Sequence, residues 1–237
     1  MLRKIFSDAL GGRKYEEEKP VDERGRFIVF EGGEGAGKTT QIELLEGHLH
    51  SLSIPVLKTR EPGGTPNAEA LREVIVANRG SWTAMSEFMV MSAARHDHIT
   101  QVIRPALDRG MWVLCDRFAG SSVAYQGASG ELPEPFIRYL NDKVCDGTVP
   151  HLTFTIDVPP ALGLQRAFNR EEQSRFEAKN IEYHEKVRMS FLQQAAADPD
   201  NVILDGTAGI ILVHERVRIY LNSKLGLPIN PAELPDD

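Results

Sequence analysis

The residues with the clearest chemical potential stand together at Gly32-Gly33-Glu34-Gly35-Ala36-Gly37-Lys38-Thr39, followed by Thr40. The run fits G-x-x-x-x-G-K-[ST]. Its glycines let backbone N–H groups wrap phosphate oxygens at a helix N-terminus, Lys38 can reach β- and γ-phosphates, and the Thr39 hydroxyl can ligate Mg²⁺. The pattern points to binding of a nucleoside triphosphate and leaves the reaction open. Two further groups close short apolar runs. In Thr59-Arg60-Glu61-Pro62-Gly63-Gly64-Thr65, Arg60 is placed to clamp a phosphate through two parallel N–H bonds. In Asp116-Arg117, the carboxylate can hold Mg²⁺ or orient an arginine, and Arg117 can grip an acceptor phosphate.

These groups need a scaffold that brings strand ends together. Phe27–Phe30, Pro55–Lys58, Met111–Cys115, Leu152–Ile156 and Val202–Leu204 are short, β-rich and apolar at consecutive positions, so both faces of each are expected to be buried, as in a parallel sheet. After the first run, Ile42, Leu45, Leu49 and Leu52 recur at spacings of three and four and mark one helical face. A longer helical pattern covers 84–107, ending near Pro105, and Met85, Met89 and Met91 read as a core-facing stripe on it. Further helices are expected over 67–78, 134–144, 160–171, 177–196 and 209–222. Strands alternating with helices imply right-handed crossovers and helices on both faces of an open sheet, with ligands at the carboxyl ends of the strands.

With 237 residues, 41% of them hydrophobic and 26% charged, the chain reads as one large α/β domain with short appendages. A net charge of −7 argues against a broad nucleic-acid surface and leaves room for a local basic pocket. Cys115 and Cys145 are too few for a disulfide framework or an unaided zinc site and read as reduced thiols. No apolar run is long enough to span a membrane, and the N-terminus does not read as a secretory or mitochondrial signal, so a cytoplasmic location is expected. Residues 1–25 balance six basic against six acidic side chains and read as a charged extension to a domain over 26–225; 226–237, with three prolines, reads as a tail. His96, His98 and His184 form no metal-ligand pattern, and Trp82 and Trp112 read as packing residues.

Several motifs in fixed order carry a resemblance. FIVFEGGEGAGKTT at 27–40, TREPGGT at 59–65, SAARHDH at 92–98, IRPAL at 103–107, LCDRF at 114–118, SSVAYQG at 121–127 and GLQRAFNREEQSRFE at 163–177 are similar to thymidylate kinases, over about 26–222. The resemblance implies a three-layer P-loop NTPase fold: a five-stranded parallel sheet, helices on both faces and a small arginine-bearing lid. It implies ATP-dependent phosphorylation of dTMP with Mg²⁺, and a homodimer with the 84–107 helix at the interface.

Carried onto this chain, the resemblance implies that Arg60 and Arg117 bind the dTMP phosphate and Arg95 the thymine edge. Tyr125 packs near the deoxyribose, Glu34 bonds the sugar 3′-hydroxyl, and Ser121, Ser122 and Gln126 line the rest of the acceptor pocket. Gly35 stands where some members carry a catalytic arginine, so the resemblance is to the bacterial type, whose lid supplies it; spacing favours Arg170, with Arg166 and Arg175 in support. Met91 occupies the usual place of a phenylalanine that stacks on thymine, Ser174 that of an aspartate, and Phe168 a place that is sometimes basic. Met91 motivates an alternative, a kinase of another pyrimidine monophosphate such as dUMP or dCMP. The altered lid and the charged extension motivate a second, a nucleotide-dependent binding module on the same fold.

Overall fold

The computed structural model describes residues 25–76, 82–128, 130–168 and 176–227. Arg170, Ser174 and Arg175 of the expected lid lie outside them, as do residues 1–24 of the extension and 228–237 of the tail. Strands β1 (Phe27–Glu31), β2 (Val56–Arg60), β3 (Trp112–Asp116), β4 (Leu152–Asp157) and β5 (Asn201–Asp205) form one sheet in the order β2-β3-β1-β4-β5, every pairing parallel. The chain leaves central β1 for β2 on one side and returns to β4 on the other. β1 is therefore the point where strand order reverses, and its carboxyl end opens a crevice between the flanking loops.

The three inner strands follow the expected burial on consecutive positions: every residue of β1 is buried. The two outer strands do not. β2 is half-buried or exposed throughout, and β5 alternates, because an edge strand has a neighbour on one side only and less helix cover. One face of the sheet packs against α1 (Lys38–Ser51) and α9 (Ile210–Leu225). Ile42, Leu45 and Leu49 meet Phe30, Phe154 and Leu204 there, as the helical spacing requires. On the other face Phe27, Val29, Val113 and Cys115 pack against Ile99, Ile103 and Ala106. Full burial of each such large apolar side chain contributes roughly 1.5–3 kcal/mol.

The predicted 84–107 helix is α3 (Ala84–His98), a π-helical turn at Ile99–Ile103 and α4 (Arg104–Asp108), running without a break. Pro105 has no N–H and its ring crowds the carbonyl a turn earlier; the wider turn ahead of it accommodates both. The methionine stripe is corrected: Met85 and Met89 are 40% and 49% exposed, whereas Phe88, Ser92 and Arg95 face inward. Met91 alone of the three packs inward, beside Tyr125 and Phe176. Trp82 and Trp112 are packing residues, as expected.

Other helices are α2 (Pro66–Val76), α6 (Glu134–Cys145), α7 (Pro160–Phe168) and α8 (Ile181–Ala197). The last begins four residues later than its apolar pattern suggests, because the Asn180 side chain accepts the Tyr183 N–H and fixes the start. The expected ends of the helices over 67–78 and 160–171 lie outside the described residues. One helix has no counterpart in the periodicity: α5 (Ala119–Ala128), which carries Ser121, Ser122, Tyr125 and Gln126.

Candidate active site

The loop from Gly32 to Gly37 connects β1 to α1 and lies at the centre of the sheet's carboxyl edge. Gly35 has φ +63°, and a Cβ there would stand 2.0 Å from the Gly163 carbonyl oxygen of α7. Helix α7, which leads into the lid segment, therefore rests directly on the phosphate loop. No side chain fits at position 35 while α7 stays in place, so an arginine there is excluded by packing. Lys38 is buried and its Nζ donates to the Gly32 and Gly33 carbonyls at 3.1 and 2.9 Å, which holds it folded over the loop. Burial, with the nearby Arg117 charge, pulls its pKa down to about 8.

Two oxygen ligands stand beside the loop. The Thr39 hydroxyl donates to Asp116 Oδ2 at 2.9 Å, joining the start of α1 to the end of β3. This pair of hard oxygen donors at a phosphate loop suits Mg²⁺. Arg117 follows at φ +71°, a left-handed backbone that a non-glycine residue adopts only when its surroundings hold it. Three contacts do so: the Arg117 N–H donates to the Phe30 carbonyl at 2.9 Å, Nη1 to Gly32 O at 3.0 Å and Nη2 to Glu34 Oε1 at 3.1 Å. The Tyr125 hydroxyl donates to the same Glu34 oxygen at 2.9 Å, and the guanidinium lies 4.9 Å from the Tyr125 ring centre. Burial works against the Glu34 carboxylate, yet Arg117 and Lys38 outweigh it and hold the group below its ordinary value. Burial raises the Tyr125 phenol, which stays a donor.

The TREPGGT segment is held from two helices. A Cβ at Gly64 would stand 2.4 Å from the His98 ring, so α3 packs against bare backbone. Thr65 bonds Asp97 and its hydroxyl oxygen accepts the Ala68 N–H at 3.0 Å, capping α2. Arg60 reaches Glu69 at 3.0 Å, with the two side chains 53% and 40% exposed; such a pair is worth about 0–1 kcal/mol, and the guanidinium is free to turn to a phosphate.

A cavity of about 710 Å³ is lined by most of the sequence-predicted residues: Glu34 to Thr39, Arg60, Met91, Arg95, Asp116, Arg117, Ser121, Ser122, Tyr125 and Gln126. Gly32, Gly33, Thr40 and Arg166 do not line it. Arg166 instead stands at the α7 end of the phosphate loop and donates to the Gly206 carbonyl at 3.0 Å. Arg95 is buried among protein partners: Nε meets Glu61 at 2.6 Å, Nη1 meets Ser122 and Asn141, and Nη2 meets the Phe118 carbonyl. Gln126 donates to Glu87 at 2.6 Å, and Ser121 to Glu31 at the same distance.

Sequence reasoning missed four contributors. Glu31 accepts the Phe118 and Ser121 N–H groups, each at 3.0 Å, and the Ser121 hydroxyl, thereby tying β1 to the start of α5. Its signal was available: a carboxylate closing the otherwise apolar strand FIVFE. Glu61 lies inside a motif in which only the arginine was singled out. Arg72 on α2 adds a fourth arginine to the cavity wall and donates to the Pro62 carbonyl at 3.2 Å. Phe176, also on the wall, packs edge-on against Tyr125 at 5.5 Å. Nothing local in the sequence marks either of these last two.

The cavity thus has a wall of backbone N–H groups and Lys38, and a wall of arginines with the buried Glu61 among them. Residues 30–217 match the family described as thymidylate kinase. A thymidylate kinase of Caulobacter vibrioides is 47% identical over 206 residues, covering 86% of this chain and 99% of that protein. One of Deinococcus radiodurans is 45% identical over 185 residues, covering 78% and 90%. The crystal structure of thymidylate kinase from Ehrlichia chaffeensis superposes with a TM-score of 0.69 at 32% identity, over 84% of this chain and 99% of that one. The fold is that of a solved member of the family, most of the motifs contribute residues to one cavity, and the chain belongs to the thymidylate kinase family.

Proposed function

We propose that the chain transfers the γ-phosphoryl group of ATP to the phosphate of dTMP, giving ADP and dTDP for dTTP biosynthesis. The observation that carries this reading is the single cavity with a phosphate loop on one side and Arg60, Arg95 and Arg117 on the other. Phosphoryl transfer asks the protein mainly to position two anions and offset their charge, and the acceptor phosphate needs no strong base.

On the donor side the loop N–H groups from Gly32 to Thr40 hold the triphosphate. Lys38 leaves the Gly32 and Gly33 carbonyls to meet its outer phosphates. Thr39 and Asp116 would hold Mg²⁺, which when bound offsets charge on the β- and γ-phosphates. Arg166 supports the nucleotide from α7, and Arg170, outside the described residues, supplies the lid's charge to the transferring group. The contact between Gly35 and Gly163 favours that division of labour, since it leaves the loop no side chain to do so.

On the acceptor side Arg60 and Arg117 take the dTMP phosphate and Arg95 the base edge. Met91 covers the base face, Tyr125 and Glu34 take the deoxyribose, and Ser121, Ser122 and Gln126 close the pocket. The reading extends to a catalytic domain over 26–225 with flanking segments at 1–25 and 226–237, in a cytoplasmic enzyme without nucleic-acid or membrane partners. It further includes a homodimer that covers the exposed Met85 and Met89 of α3.

The test is Mg·ATP-dependent ADP release with dTMP, dUMP, dCMP, UMP and AMP, alongside Lys38→Ala and Arg170→Ala. Turnover on dTMP that both substitutions reduce is expected. Preference for another acceptor would move the substrate assignment to Met91 and the base pocket, and ATP binding without acceptor-dependent release would leave a binding module.

A further inference from the structure

Glu61 is a buried carboxylate with two buried partners and no contact to the phosphate loop. It is 4% exposed; Oε2 accepts from Arg95 Nε at 2.6 Å and Oε1 faces His98 Nδ1 at 3.2 Å. The other ring nitrogen of the fully buried His98 meets the Thr59 hydroxyl at 2.7 Å, so the ring is gripped at both ends. The Glu61 N–H is held by the Asp116 carbonyl at 2.9 Å, which fixes the backbone below the carboxylate. A chain of contacts therefore runs from β2 through His98 and Glu61 to the guanidinium of Arg95.

That guanidinium can be counted donor by donor. Of its five N–H groups, Glu61, Ser122, Asn141 and the Phe118 carbonyl occupy four. One Nη2 N–H has no protein partner among the described residues, on a side chain that lines the acceptor cavity. Arg95 thus has a single donor left for a ligand in the cavity that it lines, and no acceptor. Such a group favours a base edge carrying a carbonyl oxygen and opposes one carrying an amino group, whose N–H would meet another N–H. The discrimination depends on direction: a guanidinium that can turn presents two or three donors over a wide arc.

We infer that the Glu61–His98 pair sets the base selectivity of the acceptor site by locking Arg95 so that one N–H alone faces the base. Glu61 and His98 are positioning residues acting through Arg95, and the inference rests on the reading of Arg95 as the base-edge donor. It also gives a reason for tolerating Met91, a flexible side chain that defines the base plane loosely: orientation comes from the edge and the methionine supplies cover.

The experiment compares kcat/KM for dTMP, dUMP and dCMP in the full chain, its Arg95→Lys, Glu61→Gln and His98→Asn variants, with KM for ATP measured in each. A site built to hydrogen-bond a substrate group rejects the mismatched analogue strongly, so Glu61→Gln is expected to lower the dTMP-to-dCMP ratio by about tenfold or more. His98→Asn is expected to lower it by a smaller factor, and KM for ATP to stay within about twofold in both, since neither residue touches the phosphate loop. A merely structural role would reduce all acceptors together and leave the ratio unchanged. If Arg95→Lys collapses the ratio while Glu61→Gln and His98→Asn preserve it, the base contact stands and the inference is overturned. If Arg95→Lys also preserves it, the reading of Arg95 fails and the inference with it. Should Glu61→Gln not fold, the ratio in His98→Asn decides.

Discussion

The donor wall of the cavity comes from one consecutive run, Glu34 to Thr39. The acceptor wall takes Arg60 from β2, Arg72 from α2, Arg95 from α3, Arg117 from the end of β3 and Tyr125 from α5. The first uses backbone N–H groups, whose directions follow from the turn. The second uses long side chains, each of which loses rotamer freedom when fixed, about 1.5–2 kcal/mol for an arginine. Its stiffness is supplied largely by carboxylates, Glu34 for Arg117, Glu61 for Arg95 and Glu31 for the segment behind Arg117, while Arg60 meets an exposed Glu69 and Arg72 the Pro62 carbonyl. A wall of backbone needs glycine and a close neighbour, whereas a wall of arginines needs a fixed acceptor behind each side chain that is to be held.

The strongest way to break the donor wall is through its neighbour. A Cβ on Gly163 would stand 2.3 Å from the Glu34 carbonyl oxygen, so Gly163→Val must push α7 off the phosphate loop. Loss of a preorganised charge at a transferring phosphoryl group costs about 10²–10³ in kcat, and a drop of that order in steady-state turnover is expected, with dTMP binding by calorimetry little changed. Wild-type turnover in this variant would mean that the contact carries nothing.

A smaller effect is expected behind the acceptor wall. Glu31→Gln keeps one carbonyl oxygen for the N–H groups of Phe118 and Ser121 but removes the charge and one acceptor. KM for dTMP should rise by about tenfold to a hundredfold, consistent with loss of one charge-assisted bond of about 1.5–3 kcal/mol, while KM for ATP rises less. Equal increases in both constants would show that Glu31 serves the two walls alike.

The smallest effect concerns Lys38 and pH. Burial lowers its pKa to about 8, so the protonated form that ATP requires predominates below that value in the free enzyme and is lost as pH rises through it. A profile of kcat/KM for ATP, which reports the free enzyme, should be halved near pH 8 and fall about tenfold per unit above it. A flat profile to pH 9.5 would place the Lys38 proton loss elsewhere.

The same contrast governs how much the sequence disclosed. The donor wall is contiguous, so its residues could be read together as one loop, and the Ile42-Leu45-Leu49 stripe located the helix behind it. Inner strands β1 and β3 were legible because burial on both sides leaves continuous apolar runs, and β4 because its threonines are β-branched; β2 and β5 departed because edge position is a property of the whole sheet. Helix α5 was missed because Gly120, Ser121, Ser122 and Gly127 weaken any helical preference, and it starts against Glu31, 90 residues earlier at the Ser121 bond. Met85 and Met89 were misplaced because the angular period alone does not say which face meets the core; Phe88 and Ser92 do. Arg60 and Arg117 were legible from their places at the ends of apolar runs and Arg95 through the motif resemblance, and the cavity gathers them. Of the acids that hold them, Glu34 stood within the phosphate loop and Glu31 closed an otherwise apolar strand, whereas Glu61 had no such signal, since a buried carboxylate and a solvated one look alike in a sequence.

The central claim is that the two walls bind separate anions, and Arg117→Ala tests it most directly because Arg117 belongs to the acceptor wall and touches the phosphate loop through the Gly32 carbonyl and Glu34. Parallel calorimetric titrations of the wild type and this variant with dTMP and with ATP would measure both walls at once. Removing a half-buried charge-assisted phosphate contact should weaken dTMP by about thirtyfold or more, and loss of the two loop contacts should weaken ATP by no more than about fivefold. Equal losses, or a larger loss for ATP, would contradict the division of the cavity into a donor and an acceptor side.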